Sequence, residues 1–205
     1  MALGWIAAVS GFALAMAGTP GPNNTMMTAS GANHGFRRTL PFMSGVAMGV
    51  VTIIMVMAMI GASLMAKPPV HRVVKWAGLA YLLWLAWQMG TAPATIARPG
   101  EVKAPEGKPL TLMQGALFQL VNPKMWAMVT GAVVTYGSTA GQESPFAIAV
   151  TFGIIFGTAT FAGTALWALI GVGFKRLMKT ERTMRRFNWV MALLMLLSLI
   201  PIVTE

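Results

Sequence analysis

Lysine is rare inside apolar sequence, yet Lys124 lies near the middle of the apolar run 112–137. At the centre of a membrane helix such a side chain costs roughly 2.5–3.5 kcal/mol, so it usually faces a partner or a water-filled path. Its ammonium can pair with a substrate carboxylate. It can also lose its proton when desolvated, and so couple a process to protons. The bland alternative is a helix that starts later, with Lys124 snorkelling to an interface. Asn122 and Pro123 stand immediately before it. Proline removes a helical hydrogen bond and clashes with the preceding turn, so Asn122-Pro123-Lys124 marks a break.

A stronger break is Thr19-Pro20-Gly21-Pro22-Asn23-Asn24-Thr25. One interior proline costs a helix about 3 kcal/mol or more; two around a glycine end it. The chain must unwind there and free several carbonyls. Unwound backbone survives in a membrane only where it is buried in protein or lines a wet cavity. A helix restarting after Pro22 would take Asn23 or Asn24 as N-cap. Its free N–H groups and positive dipole end would suit an anion such as a carboxylate. The alternative is a structural kink sealed by its neighbours. The candidate binding set is therefore Pro20, Gly21, Pro22, Asn23, Asn24, Asn122, Pro123, Lys124 and Thr164. Thr158, Thr160 and Thr164 share one apolar run and could hydrogen-bond backbone or substrate. Alanine at Asn24 or Lys124 is expected to stop function without lowering the amount of folded protein.

Other chemistries lack residues. Cysteine is absent, which removes thiol redox chemistry, Fe–S clusters and disulfides. Aspartate is absent too, and Glu101, Glu106, Glu143, Glu181 and Glu205 fall outside the apolar runs. That removes the usual carboxylate proton relay and a strong cation site. His34 and His71 are far apart in sequence and read as interface residues rather than ligands. Met55, Met57 and Met59 invite a Cu(I) reading, but i, i+2 and i+4 do not share a helix face, and packing explains them better. No metal site, no cofactor and no catalytic set follows. An enzyme would need a nucleophile, a metal set or a buried acid–base pair.

The elements that must hold these residues are membrane helices. Of 205 residues 56% are hydrophobic and 10% charged, far below the roughly 25% charged residues of a soluble domain. The runs 2–28, 41–66, 73–90, 112–137, 145–174 and 187–203 reach or approach the roughly 20 residues that cross a bilayer. Strict alternation, the mark of a membrane barrel, is absent. The expected fold is all-α and integral to the membrane, with six transmembrane helices. Ala15-Met16-Ala17 resembles a signal cleavage site, but no basic residue precedes it, so the first helix is expected to be retained.

The six segments divide as three, a Pro-rich hydrophilic stretch, and three. Residues 1–90 form the first unit, 91–110 the linker, and 111–205 the second unit. Each unit opens with a helix broken at proline, Pro20–Pro22 in one and Pro123 in the other. Units of three helices insert with opposite orientation, which gives the inverted repeat of secondary transporters. Gly45-x-x-x-Gly49 and Gly153-x-x-x-Gly157 would be equivalent helix-contact sites in the two units, and such small-residue faces permit a homodimer. Basic residues gather in loops 1–2, 3–4 and 5–6, the last with Lys175, Arg176, Lys179, Arg182, Arg185 and Arg186. The positive-inside rule places these loops in the cytoplasm and both termini outside. The net charge of +10 thereby reads as orientation and contact with anionic lipid, not nucleic-acid binding.

Three motifs in order resemble the LysE/RhtB amino-acid exporter family. They are Thr19-Pro-Gly-Pro-Asn-Asn24 followed by His34-Gly-Phe-Arg37, then Trp76-Ala-Gly-Leu-Ala-Tyr81-Leu-Leu-Trp84-Leu, then Phe118-Gln-Leu-Val-Asn122-Pro-Lys124. Within it the chain is most similar to exporters of cysteine and O-acetylserine, through Trp84-Leu-Ala-Trp87 and Trp167-Ala-Leu. The resemblance implies efflux of a small amino acid or derivative across the bacterial inner membrane, driven by protons. Many members carry an aspartate after the second glycine of the helix 2 pattern, or within helix 5. Here that position is Val50, and helix 5 has no acid. This speaks against a cationic substrate and for a neutral or zwitterionic one. A passive channel, or an exporter of a solute other than an amino acid, remains the alternative.

Overall fold

A computed structural model of the protein describes residues 1–60, 76, 80, 83–93, 108–137, 140–141, 143–178 and 180–197. Seven helices run through them: α1 (Leu3–Gly18), α2 (Pro22–His34), α3 (Phe36–Ile60), α4 (Leu112–Val121), α5 (Pro123–Gly137), α6 (Pro145–Leu177) and α7 (Glu181–Leu197). Residues 83–90 are helical as well, and no strand occurs among the described residues. The all-helical reading holds. Part of the third expected segment, 73–90, and most of the linker, 91–110, lie outside the described residues, as do His71 and residues 198–205.

Both proline breaks are present. α1 and α2 meet at a bend of 56°. α4 and α5 follow one another across the extended residue Asn122. α3, with 25 residues, and α6, with 33, are each long and apolar enough to cross a membrane, and the bent α1–α2 pair passes as a third span. Two expected boundaries move. Arg37 and Arg38 sit in the first turn of α3 rather than in a loop. Lys175 and Arg176 lie in the last turn of α6, while Arg182, Arg185 and Arg186 lie on α7, which begins six residues before the run 187–203. Helical hydrogen bonding does not stop where apolar sequence stops, and long basic side chains are stable at the headgroup level.

α6 packs against α3, α2 and α1, and α3 also lies on α4. These approaches are close because side chains are missing. A Cβ on Gly45 would lie 1.9 Å from the Leu112 carbonyl oxygen, and one on Gly171 would lie 2.0 Å from that of Thr28. The two glycine pairs, expected at equivalent positions, meet different kinds of neighbour. Gly45 and Gly49 meet the backbone of α4, whereas Gly153 and Gly157 meet the side chains of Met55 and Val51 on α3. The tight α6 contact is made further along, at Gly171.

The core has two apolar clusters. One joins Val9 of α1, Ile54 of α3, Val129 of α5 and Phe152 of α6. The other joins Met27 of α2, Phe42 of α3, Phe118 of α4 and Ala168 of α6. Every long path between them passes one level: Ala13 to Met26 through the first break, Phe118 to Met125 through the second, and Ala159 to Ala168 along α6. Both breaks therefore sit in a polar layer between two apolar halves of the bundle.

The ends of the bundle also differ. The Met1 ammonium pairs with the Glu143 carboxylate, which places the N-terminus beside the α5–α6 connection. The turn at Gly35, residues 91–93 and 108–111, and the α6–α7 connection lie at the opposite end, around a shared cavity and the Ala32–Met178–Met184 cluster. That end holds Arg37, Arg38, Lys108, Lys175, Arg176, Arg182, Arg185 and Arg186.

Candidate binding site where two helix breaks meet

The first break leaves carbonyls with no helical partner, as any helix end does. Side chains satisfy them. Asn24 Nδ2 donates to the carbonyl oxygens of Ala17 at 3.0 Å and Thr19 at 2.7 Å. Lys124 Nζ, from α5, donates to the carbonyl oxygen of Thr19 and, at 3.5 Å, to that of Pro20. A half-buried ammonium is thus compensated by unwound backbone. Gly21 admits it: a Cβ there would fall 2.8 Å from Lys124 Cδ and 3.3 Å from Nζ.

The expected cap is overturned. α2 begins at Pro22 with Gly21 as N-cap, and no side chain caps it. Asn24 instead turns back onto the end of α1, and Asn23 reaches α4. Asn23 and Gln119 exchange two amide hydrogen bonds, both 3.1 Å. Gln119 is fully buried and also donates to the Gly115 carbonyl at 3.2 Å. Thr25 N–H takes the Gly21 carbonyl at 3.0 Å, so the first-turn N–H groups of Asn23 and Asn24 precede the helical ladder and make no backbone bond within it.

A cavity of about 30 Å³ lies at this level, lined by Gly21, Asn23, Asn24, Asn122, Lys124 and Thr164, with Met16, Ala17, Met125, Met128 and Thr160. Six of the nine candidate residues line one space. Pro20 contributes its carbonyl, Pro22 starts α2 and Pro123 starts α5. Asn122 is 1% exposed, and its Oδ1 is a buried acceptor with no hydrogen-bond partner. Thr164 spends its hydroxyl proton on the Thr160 carbonyl at 2.8 Å, and its oxygen can still accept. Thr158 instead lines a groove between α3 and α6. The cavity exceeds the roughly 10–15 Å³ that a water needs but is too small for an amino acid. The protein is closed around its own side chains here.

A second cavity, of about 510 Å³, opens at the basic end, among α2, residues 85–93 and the start of α4. Met26, Ser30 and Asn33 of α2 line it, with Gln88, Lys108 and Gln114 facing them. The face that begins at Asn23 continues through Met26, Ser30 and Asn33 at helical spacing. The Asn23–Gln119 pair separates the two cavities on both helices. On α2 it precedes Met26, and on α4 it follows Gln114. This explains why α2, the most polar of the apolar-run helices, has ten of its thirteen residues buried.

Sequence reasoning missed Gln119, Gln114, Ser30 and Asn33. The signal was available, because amides and hydroxyls recurring on one face of a membrane helix must face protein or water. Thr19 was also missed as a site residue, since it acts through its carbonyl and not its side chain.

Residues 14–199 match the family model described as LysE type translocator. The chain is 31% identical, over 90% of its own length and of theirs, to the cysteine/O-acetylserine efflux proteins of Escherichia coli O139:H28 (strain E24377A / ETEC), Escherichia coli (strain K12) and Shigella sonnei (strain Ss046). No solved structure matches the chain.

Proposed function

The chain belongs to the LysE type translocator family, and from that premise we propose that it exports a small neutral amino acid, with O-acetylserine and cysteine the first candidates. It is a multi-pass membrane protein and not an enzyme. The observation that carries the reading is the convergence of both helix breaks on one polar cavity at mid-bundle. Carbonyls of Thr19 and Pro20, with the free Oδ1 of Asn122, are acceptors for a substrate ammonium. The uncapped N-terminus of α2, at Asn23 and Asn24, receives the carboxylate. The absence of any acid in the helices lining the cavity fits a zwitterion and disfavours a second cationic group.

The finer architecture belongs to the same proposal. Six spans form two inverted three-helix units, 1–90 and 111–205, joined by a cytoplasmic linker over 91–110. The broken pairs α1–α2 and α4–α5, each followed by a long unbroken helix, support it. In the bacterial inner membrane the basic end faces the cytoplasm, both termini lie outside, and the 510 Å³ cavity is the cytoplasmic entrance. The substrate then passes the Asn23–Gln119 pair to reach the breaks. Export is driven by the proton gradient.

The test is export by purified protein in proteoliposomes, with a panel of labelled amino acids, with and without a pH gradient. Uphill movement of O-acetylserine, cysteine or another neutral amino acid under the gradient is expected. Movement that only runs downhill would make the protein a channel. No movement of any amino acid by folded protein would remove the substrate class.

A further inference from the structure

The ammonium of Lys124 occupies the carbonyls that the preceding reading offers to the substrate ammonium. We propose that the two cations exclude one another: the substrate binds at Thr19 and Pro20 only as Lys124 gives up its proton and withdraws, so this lysine carries the coupling proton. The inference rests on the binding site of the previous section and adds the coupling mechanism to it.

Geometry makes the exclusion strict. The Thr19 carbonyl already accepts from both Asn24 and Lys124. A carbonyl oxygen has two lone pairs, so a third donor finds no room. The cavity beside it, about 30 Å³, does not admit a second ammonium while the lysine stem lies across Gly21. Two ammonium groups on the same carbonyls would also repel one another.

No other group near the cavity can substitute for Lys124 as the proton carrier. α1 and α4 have no titratable side chain, and among the described residues of the other helices packed around the cavity such groups stand only at the ends. His34 ends α2, Arg37 and Arg38 begin α3, Tyr136 ends α5, and Lys175 and Arg176 end α6. The balance of the step is simple. Lys124–NH₃⁺ becomes Lys124–NH₂, and one proton passes to water. The substrate ammonium then takes the Thr19 and Pro20 carbonyls with its own charge. When the substrate leaves on the far side, a proton from that side restores the ammonium, which closes the empty site. Net movement is one zwitterion out for one proton in.

A competing role for Lys124 makes the test decisive. If the lysine stays charged and swings onto the substrate carboxylate, binding releases no proton. Isothermal titration of the detergent-solubilised full chain with O-acetylserine, in two buffers of different ionisation enthalpy, counts protons released per substrate bound. About one proton is expected, and the apparent Kd should rise about tenfold for each unit fall in pH while the free lysine is charged. Lys124→Gln, which carries no charge and has no proton to give up, should bind with no proton release and no pH dependence. Lys124→Arg, permanently charged, should not bind while melting as the wild type does. Binding without proton release in the wild type, or undiminished release in Lys124→Gln, overturns the proposal and leaves the binding site standing. No binding by folded wild-type protein removes the site itself.

Discussion

At the scale of single residues, two positions in the first break separate steric from structural roles. Gly21 has an extended backbone, with φ 177°, which any residue can adopt. Only space forbids a side chain, and the neighbour in that space is the flexible stem of Lys124. Gly21→Ala should therefore displace the lysine and leave the fold intact. An overpacking conflict of about 1–3 kcal/mol taken by the lysine alone would lower transport by about tenfold, with the melting temperature in detergent unchanged. An equal fall in melting temperature would mean that the backbone yields instead. Asn24 differs. It is 4% exposed and holds the carbonyls of Ala17 and Thr19 at the end of α1. Asn24→Ala takes the side-chain donor from the Ala17 carbonyl, while that of Thr19 keeps Lys124, at a cost of about 1–3 kcal/mol. The variant should lose folded protein as well as transport, contrary to the expectation from sequence, where the residue was read as a cap facing substrate. Lys124→Ala keeps the sequence expectation of lost transport.

At the scale of elements, the helix breaks were legible because proline acts locally: Pro20, Pro22 and Pro123 forbid regular helix whatever surrounds them. The meeting of the breaks was legible only as a guess about repeats, since contact between residues 19 and 124 is a tertiary fact. The cap was misread for a related reason. Asn24 can serve as N-cap of α2 or as donor to the end of α1, and sequence alone does not say which orphan group is nearer. The glycine pairs show the same limit, since spacing marks a small-residue face but not the helix that meets it. Helix contacts give a graded prediction. Gly45→Ala and Gly171→Ala would drive a methyl into backbone oxygen at 1.9 and 2.0 Å. Each should cost about 1–3 kcal/mol or more, seen as a lower melting temperature. Gly11→Ala meets nothing within 4 Å and should hold or raise it, because alanine favours helix by about 1 kcal/mol over glycine. The Asn23–Gln119 pair is a second element-level contact. Alanine at both positions should cost less than the two single losses added, with a coupling of about 0.5–3 kcal/mol in a double-mutant cycle. Additive losses would show that the amides do not act as a pair.

At the scale of the whole molecule, the two cavities and the charge asymmetry combine into a direction. The large cavity opens at the end that gathers eight basic side chains of the described residues, Arg37, Arg38, Lys108, Lys175, Arg176, Arg182, Arg185 and Arg186. The other end carries Glu143 as its one charged side chain among the described residues. Basic residues near the ends of spans stay in the cytoplasm, so the proposed orientation turns the closed side of the site outward and the open side inward. An exporter at rest should have this shape, with its empty site ready to load from the cytoplasm. The chain has no cysteine, so a single introduced thiol reports its side of the membrane without background. Ser144, the exposed N-cap of α6, should as Ser144→Cys react with a membrane-impermeant maleimide in intact cells. Thr180, exposed between α6 and α7, should as Thr180→Cys react only after permeabilisation. The reverse pattern would invert the molecule. The 510 Å³ cavity would then open outward, and the same site would load from outside, as an importer does. Labelling of both thiols in intact cells would mean that α6 does not cross the membrane, against its 33 apolar-rich residues.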